Sequence, residues 1–548
     1  MYKLFLCLRY LRSRVIAVVA ILTVALCVAM MVIVVSVMNG FLNKIELAAK
    51  GLFGDIVIEA PSHQGITSYD KLIETIRNDV PDVQAASPFI LSYGVLQIPY
   101  QTHIRVWVQV AGIRLPGRAA VSDFEKGLFI QKGFAEPSFD PNMALMLRRI
   151  SEEAAKSNEI FRRESSALSA KTDPDRRLEA EELLGRLQTA MHYQTEGEDN
   201  LRAAADNARE LERLVAQLDK AHESGAGDEV IARLQRQIED VQSRTYEPPE
   251  NRVILGLGIP GLSIRTEAGE TVRYIVPGSK VVLNVIPLGR GISPTGVTPN
   301  TRKFSVVDDC RTDVWSIDSE IVYVPFKTLQ VLNNMDQPDR CSQIHIKVKD
   351  GLADERHLRE VSRKVHAAWL RFRKADANAP ENLSIQTWRE RQKAVIAPLE
   401  SQRTLVAIIV GILSLVSIAV ILLIFHMIVF QKTREIGVLK AVGASSGGVA
   451  TIFLSYAAAV GLIGAAIGVV GGWYFVHQIN PIHDWCAHRL GLEVWSRKVY
   501  MFEMIPNTVS PLDAAVIAIG AVVAAVIGAG YPAWQASRLQ PVEALRYE

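Results

Sequence analysis

Four long stretches of the chain are apolar and contain no Asp, Glu, Lys or Arg, and polar segments of very different length separate them. Each stretch exceeds the roughly 20 residues that a helix needs to cross the hydrocarbon core of a bilayer. The four stretches are Val15–Met38, Thr404–Phe430, Val449–Val476 and Ala514–Trp534. The pattern predicts an α-helical polytopic membrane protein with four transmembrane helices.

The first apolar stretch differs from a secretory signal peptide. It has 24 residues, whereas the apolar core of a signal peptide has about 7–15. The residues that follow it, Asn39-Gly40-Phe41, do not resemble a small-residue cleavage site. We therefore expect Val15–Met38 to remain as a membrane anchor.

Basic residues near the ends of the apolar stretches predict the orientation, because short cytoplasmic segments are enriched in Lys and Arg. They are Lys3, Arg9, Arg12 and Arg14, then Lys432, Arg434 and Lys440, then Arg538 and Arg546. With four spans, the segments 1–14, 431–448 and 535–548 then lie in the cytoplasm. The segments 39–403 and 477–513 are predicted to be extracytoplasmic.

The segment 39–403 has the pattern of a mixed α+β domain. Asp55–Glu59 and Ile344–Lys349 alternate with period two, as half-buried strands do. Tyr69–Val80 is patterned as one amphipathic helix. Val361–Glu400 is again helical in character, and we expect it to continue into the second membrane span as a stalk.

Residues 141–250 differ from the rest of this domain, because 39 of the 110 residues are charged. Apolar residues recur at three- and four-residue spacing in Leu201–Leu218 and Ile231–Val241, on either side of the turn Ser224–Gly227. This spacing favours an inserted helical hairpin with a coiled-coil seam. The alternative is a partly disordered, solvated linker. We expect the segment to stay outside the core and to be removable without unfolding the rest.

The overall composition excludes some functions. Lys and Arg number 60 and Asp and Glu number 58, so the formal net charge is +2, which argues against nucleic-acid binding. There are five cysteines. Cys310 and Cys341 either form a disulfide or remain free thiols, and their spacing alone does not decide between these.

The sequence contains no recognisable catalytic, cofactor or metal motif. It lacks the P-loop pattern, H-E-x-x-H and C-x-x-C. His426 lies inside the second apolar stretch. We expect it to be a neutral imidazole bonded to a neighbouring helix, the alternative being a functional group within the membrane. The chain is therefore predicted to be non-enzymatic and to bind no cofactor or metal itself.

Small residues mark helix packing in the membrane. Gly464, Gly468 and Gly472 repeat every four residues in the third apolar stretch, which allows two helix backbones to approach closely. Ala521, Ala525 and Ala529 repeat in the same way in the fourth. We predict that these positions serve packing.

The loop 431–448 is short but patterned. Ile436, Leu439 and Val442/Gly443 share one helical face, and Arg434, Glu435 and Lys440 carry charge. A short helix ending at Gly443 would suit docking into the groove of a cytoplasmic partner. From the residues alone, an interfacial helix that rests on lipid is an equal alternative.

Four motifs carry a family resemblance. They are Leu8–Arg14 (LRYLRSR), Ser36–Phe41 (SVMNGF), Arg434–Ser445 (REIGVLKAVGAS) and Tyr531–Glu548 (YPAWQASRLQPVEALRYE). Together they resemble the lipoprotein-releasing (Lol-type, LolC/LolE-like) permease subunits, which belong to the wider MacB/FtsX-like ABC transporter permeases. The resemblance covers both ends of the chain and all four apolar stretches. The insertion 141–250 departs from it.

The resemblance implies a multi-pass protein of the inner membrane with a MacB-like periplasmic domain. It implies a second permease subunit, in a homo- or heterodimer, and a separate cytoplasmic ABC ATPase that binds the ATP. Periplasmic lipoproteins would be extracted from the membrane lipid by mechanotransmission, with a carrier chaperone as a further partner. The motif implies an ATPase-coupling helix with Arg434, Glu435, Ile436, Gly437, Leu439, Lys440 and Gly443.

Two other functions fit the same superfamily. One is a MacB-like efflux permease for small molecules or peptides. The other is an FtsX-like regulator that transmits ATPase strokes to a periplasmic hydrolase, with the inserted hairpin as a docking arm. All three functions require a separate ATPase.

The missing P-loop generates a direct prediction. The purified chain, free of any ATPase subunit, should hydrolyse no ATP above background, because no segment has the pattern that cradles phosphates. The measurement is phosphate release from the detergent-solubilised protein. ATP turnover at a transporter-like rate would contradict the assignment.

Overall fold

The computed structural model describes residues 15–60, 65–98, 105–134, 136–168, 174–224, 227–245, 248–266, 270–287, 298–312, 315–349, 355–431, 433–490 and 504–538. The chain divides into two compact units. One comprises Met1–Glu46 with Lys393–Glu548, and the other comprises Leu47–Gln392. The predicted cytoplasmic N-terminus 1–14 and the end of the C-terminal motif, 539–548, lie outside the described residues.

The helices are α1 (Val15–Phe53), α2 (Tyr69–Asp79), α3 (Gly117–Val121), α4 (Phe124–Gly127), α5 (Met143–Leu168), α6 (Pro174–Glu223), α7 (Asp228–Thr245), α8 (Trp315–Asp318), α9 (Phe326–Leu332), α10 (Glu355–Ala375), α11 (Trp388–Arg391), α12 (Lys393–Gln431), α13 (Thr433–Ala441), α14 (Ser446–His477), α15 (Ile479–Leu490) and α16 (Pro511–Arg538). The strands are β1 (Ile56–Glu59), β2 (Ile66–Thr67), β3 (Val83–Gln97), β4 (Arg105–Ile113), β5 (Arg252–Gly256), β6 (Ser263–Arg265), β7 (Thr271–Arg273), β8 (Lys280–Ile286), β9 (Asn300–Cys310), β10 (Ile321–Pro325), β11 (Arg340–Cys341), β12 (Gln343–Val348) and β13 (Ser384–Thr387).

The unit Leu47–Gln392 is built on a nine-stranded sheet with the order β13-β1-β12-β3-β4-β10-β5-β9-β8. β8 also pairs with the second half of β3, so that the six strands β3, β4, β10, β5, β9 and β8, in that order, close into a ring. The pairs β4–β10 and β5–β9 are parallel, and the other pairs in the ring are antiparallel. With helices packed on this sheet, the unit is the large α+β domain that the sequence predicts.

The local patterns are found where the sequence predicts them. The alternating segments Asp55–Glu59 and Ile344–Lys349 contain β1 and β12, which pair antiparallel with Ile56 opposite Ile346. The amphipathic segment Tyr69–Val80 contains α2, which buries its apolar face on Tyr69, Leu72, Ile73 and Ile76. In α2 the periodicity of the apolar residues determined the element, because only one face meets the core. The prediction that the two strands are half-buried is wrong, because β1 and β12 lie inside the large sheet and are buried on both faces.

The insertion 141–250 is more extensive than the predicted hairpin, since it contains the three helices α5, α6 and α7. The predicted turn is present, because α6 ends at Glu223 and α7 begins at Asp228. The helix before it, α5, was not predicted. Its buried residues are spaced four and three apart, as in a coiled-coil seam, at Met146, Ile150, Glu153, Ser157 and Ile160.

The expectation that this segment stays outside the core is wrong. Met146 and Ile150 of α5 and Leu201 of α6 are buried in one hydrophobic cluster with sheet residues that include Ile254 and Tyr323. The charge of the segment is concentrated on its exposed positions, which hides the few apolar residues that reach the sheet. The base of the insertion is therefore part of the domain core.

The other unit contains the membrane-embedded helices. Among the described residues, three helices are long and apolar enough to cross a bilayer: Val18–Lys44 within α1, Ser446–His477 and Pro511–Arg538. The fourth predicted span, 404–430, lies in α12, where Ile418–Gln431 forms a shorter apolar helix. The chain is a membrane protein, and the number of four spans stays a prediction.

The core position of α5 and α6 changes what a deletion should do. Removing all of 141–250 takes away Met146, Ile150 and Leu201, and losing one such buried side chain costs about 2–5 kcal/mol. The sum is comparable with the total stability of a typical domain, about 5–15 kcal/mol. We expect the deleted protein to be degraded or aggregated, as measured by its level in membranes and by size exclusion in detergent.

A shorter deletion is the control. Leu211 of α6 and Val241 of α7 line the same cavity of about 310 Å³ against the sheet, so both helices touch the domain at these positions. Replacing residues 214–238 by a short Gly/Ser turn should leave the protein level unchanged. Loss of the short variant as well would show that the projecting tip is also structural.

Candidate functional site

The segment predicted to couple to an ATPase is a separate short helix, α13, between α12 and α14. Its start is fixed by Thr433, whose hydroxyl donates to the carbonyl oxygens of Val429 (3.1 Å) and Phe430 (2.8 Å). After α13, the Ser445 hydroxyl accepts a hydrogen bond from the Gly448 N–H (3.1 Å) and caps α14. The capping serine explains why the chain leaves α13 and restarts a helix within a few residues.

Ile436 faces the inside of this unit. It is 2% exposed and packs in a buried cluster with Val429, Val449 and Phe453, and with Ala533 and Ala536 of α16. Gly437 is also buried. The sequence-based hypothesis placed Ile436 on the face toward a partner, and the structure contradicts this, because the apolar face it marks is used to attach α13 to the membrane helices.

Lys440 is also turned toward the unit. Its ammonium donates to the backbone carbonyl of Ser537 (2.6 Å), in the last turn of α16. A cation at that position interacts favourably with the carbonyl groups that have no partner at a helix C-terminus. The structure therefore makes Lys440 a link between α13 and α16, whereas the sequence predicted a charge offered to a partner.

Gly443 follows α13 with φ of +100°. This left-handed conformation favours glycine, and a Cβ atom added there would meet nothing within 4 Å. The requirement for glycine is therefore conformational. A residue with this φ is not right-handed helical, so the helical backbone ends before Gly443.

Two exposed apolar residues mark this segment: Val438 in α13, and Val442 directly after its last residue. They are 49% and 84% exposed, and their spacing of four residues places them on one face. Sequence reasoning selected Val442 for the partner face but missed Val438, because it assigned that face from Ile436. The side chains of Arg434, Glu435 and Leu439 lie outside the described part of the structure.

The predicted glycine positions bring α14 close to α1. A Cβ on Gly464 would lie 2.8 Å from the Val24 side chain, and one on Gly468 would lie 2.6 Å from the Ala25 carbonyl oxygen. Gly472 approaches Ala29 in the same way, at 3.1 Å. Any side chain at Gly464 or Gly468 would force the two helices apart.

Other contacts in this unit were not predicted. The Asn39 amide donates to the Asp513 carboxylate (2.7 Å), and Gly40 lies against the backbone of Pro506. The sequence motif Met38-Asn39-Gly40 therefore joins α1 to the start of α16. His426, which was expected to bond to a neighbouring helix, lies instead on an exposed face of α12.

A second group of polar residues, in the α+β domain, attaches the insertion to the sheet. The Arg273 guanidinium lies 2.5 Å from the Asp309 carboxylate and 3.2 Å from Glu153 of α5, and all three side chains are at least 89% buried. Its centre lies 3.7 Å from the centroid of the Phe129 ring. Burial works against the charge of Arg273, but the two carboxylates hold its pKa above the usual value. Because one buried guanidinium bonds a carboxylate of α5 and a carboxylate of β9, the cluster is a structural clamp between the insertion and the sheet.

Asp308 lies next to this clamp and is fully buried. Its carboxylate accepts hydrogen bonds of 2.8–3.1 Å from the backbone N–H groups of Phe129, Ile130, Gln131 and Asp309. Burial and the neighbouring Asp309 charge raise the pKa of Asp308 to about 7, while the backbone hydrogen bonds oppose this rise. The residue fixes the loop after α4 on β9.

The cysteines and metal ligands give no second site in the described residues. Cys310 and Cys341 are both buried and free. Burial raises the pKa of both thiols well above the usual value, so neither is a reactive thiolate. Within the described ranges, no three His, Cys, Asp or Glu side chains are grouped to hold a metal ion.

Two protein families match different parts of the chain. The FtsX-like permease C-terminal family matches residues 407–541, and the MacB-like periplasmic core domain family matches residues 17–146. The first range contains α13, α14 and α16, and the second contains most of α1 and the start of the α+β domain. Between the two matches lie residues 147–406, which include most of the insertion.

Individual relatives give the same result. The lipoprotein-releasing system transmembrane protein LolC of Neisseria meningitidis serogroup B is 26% identical over 301 residues, 55% of this chain and 66% of its own length. LolE of Haemophilus influenzae is 22% identical over 209 residues, 38% of this chain and 47% of its own. The macrolide export ATP-binding/permease protein MacB of Syntrophobacter fumaroxidans is 26% identical over 280 residues, 50% of this chain and 34% of its own.

The chain spans a little less than two thirds of the LolC relative from Neisseria. By its helical unit with the short α13, its α+β domain and these matches, the chain is similar to the MacB/FtsX-like ABC transporter permeases. Within this class, it resembles the LolC and LolE permeases.

The glycine contacts generate a prediction with an internal control. Gly468→Val places a side chain where a Cβ would already lie 2.6 Å from the α1 backbone, whereas Gly471 has nothing within 4 Å of its Cβ position. Overpacking of this kind costs about 1–3 kcal/mol or more. Gly468→Val should lower the melting temperature in detergent by several degrees, and Gly471→Val should not. Equal melting temperatures would contradict the packing role.

Proposed function

We propose that this chain is the permease subunit of an ABC transporter that extracts lipoproteins from the inner membrane. A separate cytoplasmic ATPase supplies the energy, and this chain transmits the motion to its periplasmic domain. The similarity to LolC and LolE supports the lipoprotein substrate. The single observation that carries the coupling role is the geometry of α13.

α13 has one face toward the membrane helices and one face free for a partner. Ile436 is packed among α12, α14 and α16, and Lys440 is bonded to Ser537 of α16. On the other side, Val438 and Val442 are exposed. An apolar pair on the free face of a short helix suits insertion into a groove of a folded protein.

The attachment of α13 gives the coupling a physical basis. A loop that was free at both ends would absorb a displacement by changing its own conformation. Since α13 is packed and hydrogen-bonded to several membrane helices, a push on its free face moves those helices with it. The proposed ATPase stroke would reach the periplasmic domain as a rigid-body motion.

The remaining partners follow from the same proposal. ATP is bound by the ATPase alone, and the chain itself has no cofactor. A second permease subunit, identical or related, completes the membrane part. Released lipoproteins pass to an acceptor in the periplasm, and the projecting helices of the insertion are available to contact it.

The docking face can be tested by placing a charge on it. Val442→Asp should weaken binding of the partner ATPase at least tenfold, because a carboxylate would be buried in an apolar contact without a partner. The measurement is the affinity of the purified ATPase for the permease in nanodiscs, together with ATP-dependent release of a labelled lipoprotein from proteoliposomes.

The control is Val331→Asp, which changes another exposed valine (52%) in the α+β domain. It should leave both ATPase affinity and release unchanged. If Val442→Asp binds the ATPase like the control, the coupling role of α13 is wrong. If the wild-type complex binds the ATPase and hydrolyses ATP but releases no lipoprotein, the proposed substrate is wrong while the coupling stands.

A further inference from the structure

A cavity of about 310 Å³ lies between the sheet of the α+β domain and the inserted helices. Strands β5, β8 and β9 contribute one wall, and α5, α6 and α7 contribute the other. Most of its described lining residues are apolar, and the charged ones are Asp140, Arg252 and Lys280. Small-molecule sites have volumes from about 300 Å³ upward and combine an apolar lining with a few polar groups. The cavity therefore has the size and the composition of a ligand site.

The residues of α6 that face the sheet explain why this space is present. A Cβ on Gly197 would lie 2.6 Å from a side chain of the segment before β8, and Leu201 is buried in the core cluster, so α6 touches the domain there. Further along the same helix face, Ala204 and Ala208 line the cavity, followed by Leu211. Protein interiors rarely contain spaces larger than a water molecule. Two alanines at these positions therefore suit a site that a ligand fills.

The wall formed by the sheet carries a row of polar residues. Arg252 of β5 and Lys280 of β8 are each paired in register with Ser305 of β9, and all three line the cavity. The Arg252 side chain is only 10% exposed. Its Nη1 donates to the carbonyl oxygen of Phe139 (3.3 Å) and to the carboxylate of Asp140. A guanidinium has five N–H donors, so these two bonds leave it capacity for a further acceptor.

The charge of the described lining favours an anion. Arg252 and Lys280 are two cations against the single carboxylate of Asp140, whose side chain is 57% exposed and thus partly screened by water. A guanidinium fork matches the two oxygens of a carboxylate. On the other wall, Met146 and Leu201 are buried aliphatic residues. The cavity therefore has a cationic side and an apolar side.

We propose that this cavity binds a small amphipathic carboxylate. The carboxylate lies against Arg252 and Lys280, and its unbranched chain lies along Ala204 and Ala208. At roughly 30 Å³ per non-hydrogen atom, the volume of a water molecule in the liquid, a space of about 310 Å³ holds about ten such atoms. This is the size of octanoate, and a membrane lipid with two long acyl chains is too large.

The ligand would join two parts of the domain. It touches the sheet on one side and α6 and α7 of the insertion on the other, so it stabilises the attachment of the projecting helices. The proposal goes beyond the proposed function, because it concerns a ligand of the α+β domain that is neither the ATPase nor the lipoprotein.

The test measures binding of radiolabelled octanoate to the full-length chain in phosphatidylcholine nanodiscs by equilibrium dialysis, with empty nanodiscs as the blank. We expect saturable binding of one octanoate per chain and a higher melting temperature in its presence. Ala204→Leu fills the cavity and should lower the affinity at least tenfold. The matched control is Ala203→Leu, because Ala203 is exposed at the neighbouring position of α6, and it should bind like the wild type.

A second variant, Ala208→Leu, fills the same space from one turn further along α6. It decides the question if Ala204→Leu has a lowered melting temperature without ligand. Saturable binding that is absent from the wild type, or that is equally tight in both filling variants and the control, would overturn the proposal.

The charge recognition is tested separately with 1-octanol, a neutral molecule of the same chain length. The wild type should bind octanoate at least tenfold more tightly than octanol. Arg252→Gln should remove most of this preference, and Lys280→Gln should reduce it several-fold while leaving the binding of octanol unchanged. Equal affinity of the wild type for octanoate and octanol would show that the cavity does not recognise a carboxylate.

Discussion

The close approach of α14 to α1 is the contact on which the membrane-embedded unit depends. In a bilayer, the hydrophobic effect does not drive helices together, so their association relies on packing at short distance. Gly464, Gly468 and Gly472 allow α14 to approach α1 closely. Gly461 allows the same close approach of α14 to Ala525 of α16. α16 in turn reaches α12 through Gly528. The position of α13 follows from this packing, since the helices to which it is attached are held by it.

The sequence was sufficient where one face of an element meets one environment. The apolar stretches and the amphipathic pattern of α2 reflect that condition, and the structure contains these elements. The strands β1 and β12 are present too, but both of their faces are buried. The four-residue spacing of Gly464, Gly468 and Gly472 predicted which face of α14 packs against another helix. The ring closure between β3 and β8 could not be predicted, because β3 pairs with β4 and β8 over the same residues and nothing in its own pattern shows a second partner.

The site residues were harder to assign because a short helix has two faces that both carry apolar residues. Ile436 and Val442 belong to the same sequence motif, yet one is buried in the unit and the other is exposed. Similarly, the sequence places Lys440 near a helix end and predicts a surface charge. Only the structure shows that the C-terminal end of α16, at Ser537, lies beside it. The insertion misled for a related reason, since its average composition is that of a solvated segment while Met146, Ile150 and Glu153 are buried.

The ring closure also decides how a partner can bind the α+β domain. A sheet that ends in an unpaired strand offers its backbone for strand addition, which supports both peptide recognition and aggregation. Here β8 is paired on both sides, with β9 and β3. At the other end of the order, β13 has only four residues and runs directly into the capped helix α11. In the described large sheet, little backbone is left to template another strand, so recognition must use side chains and the domain is protected against edge-to-edge association.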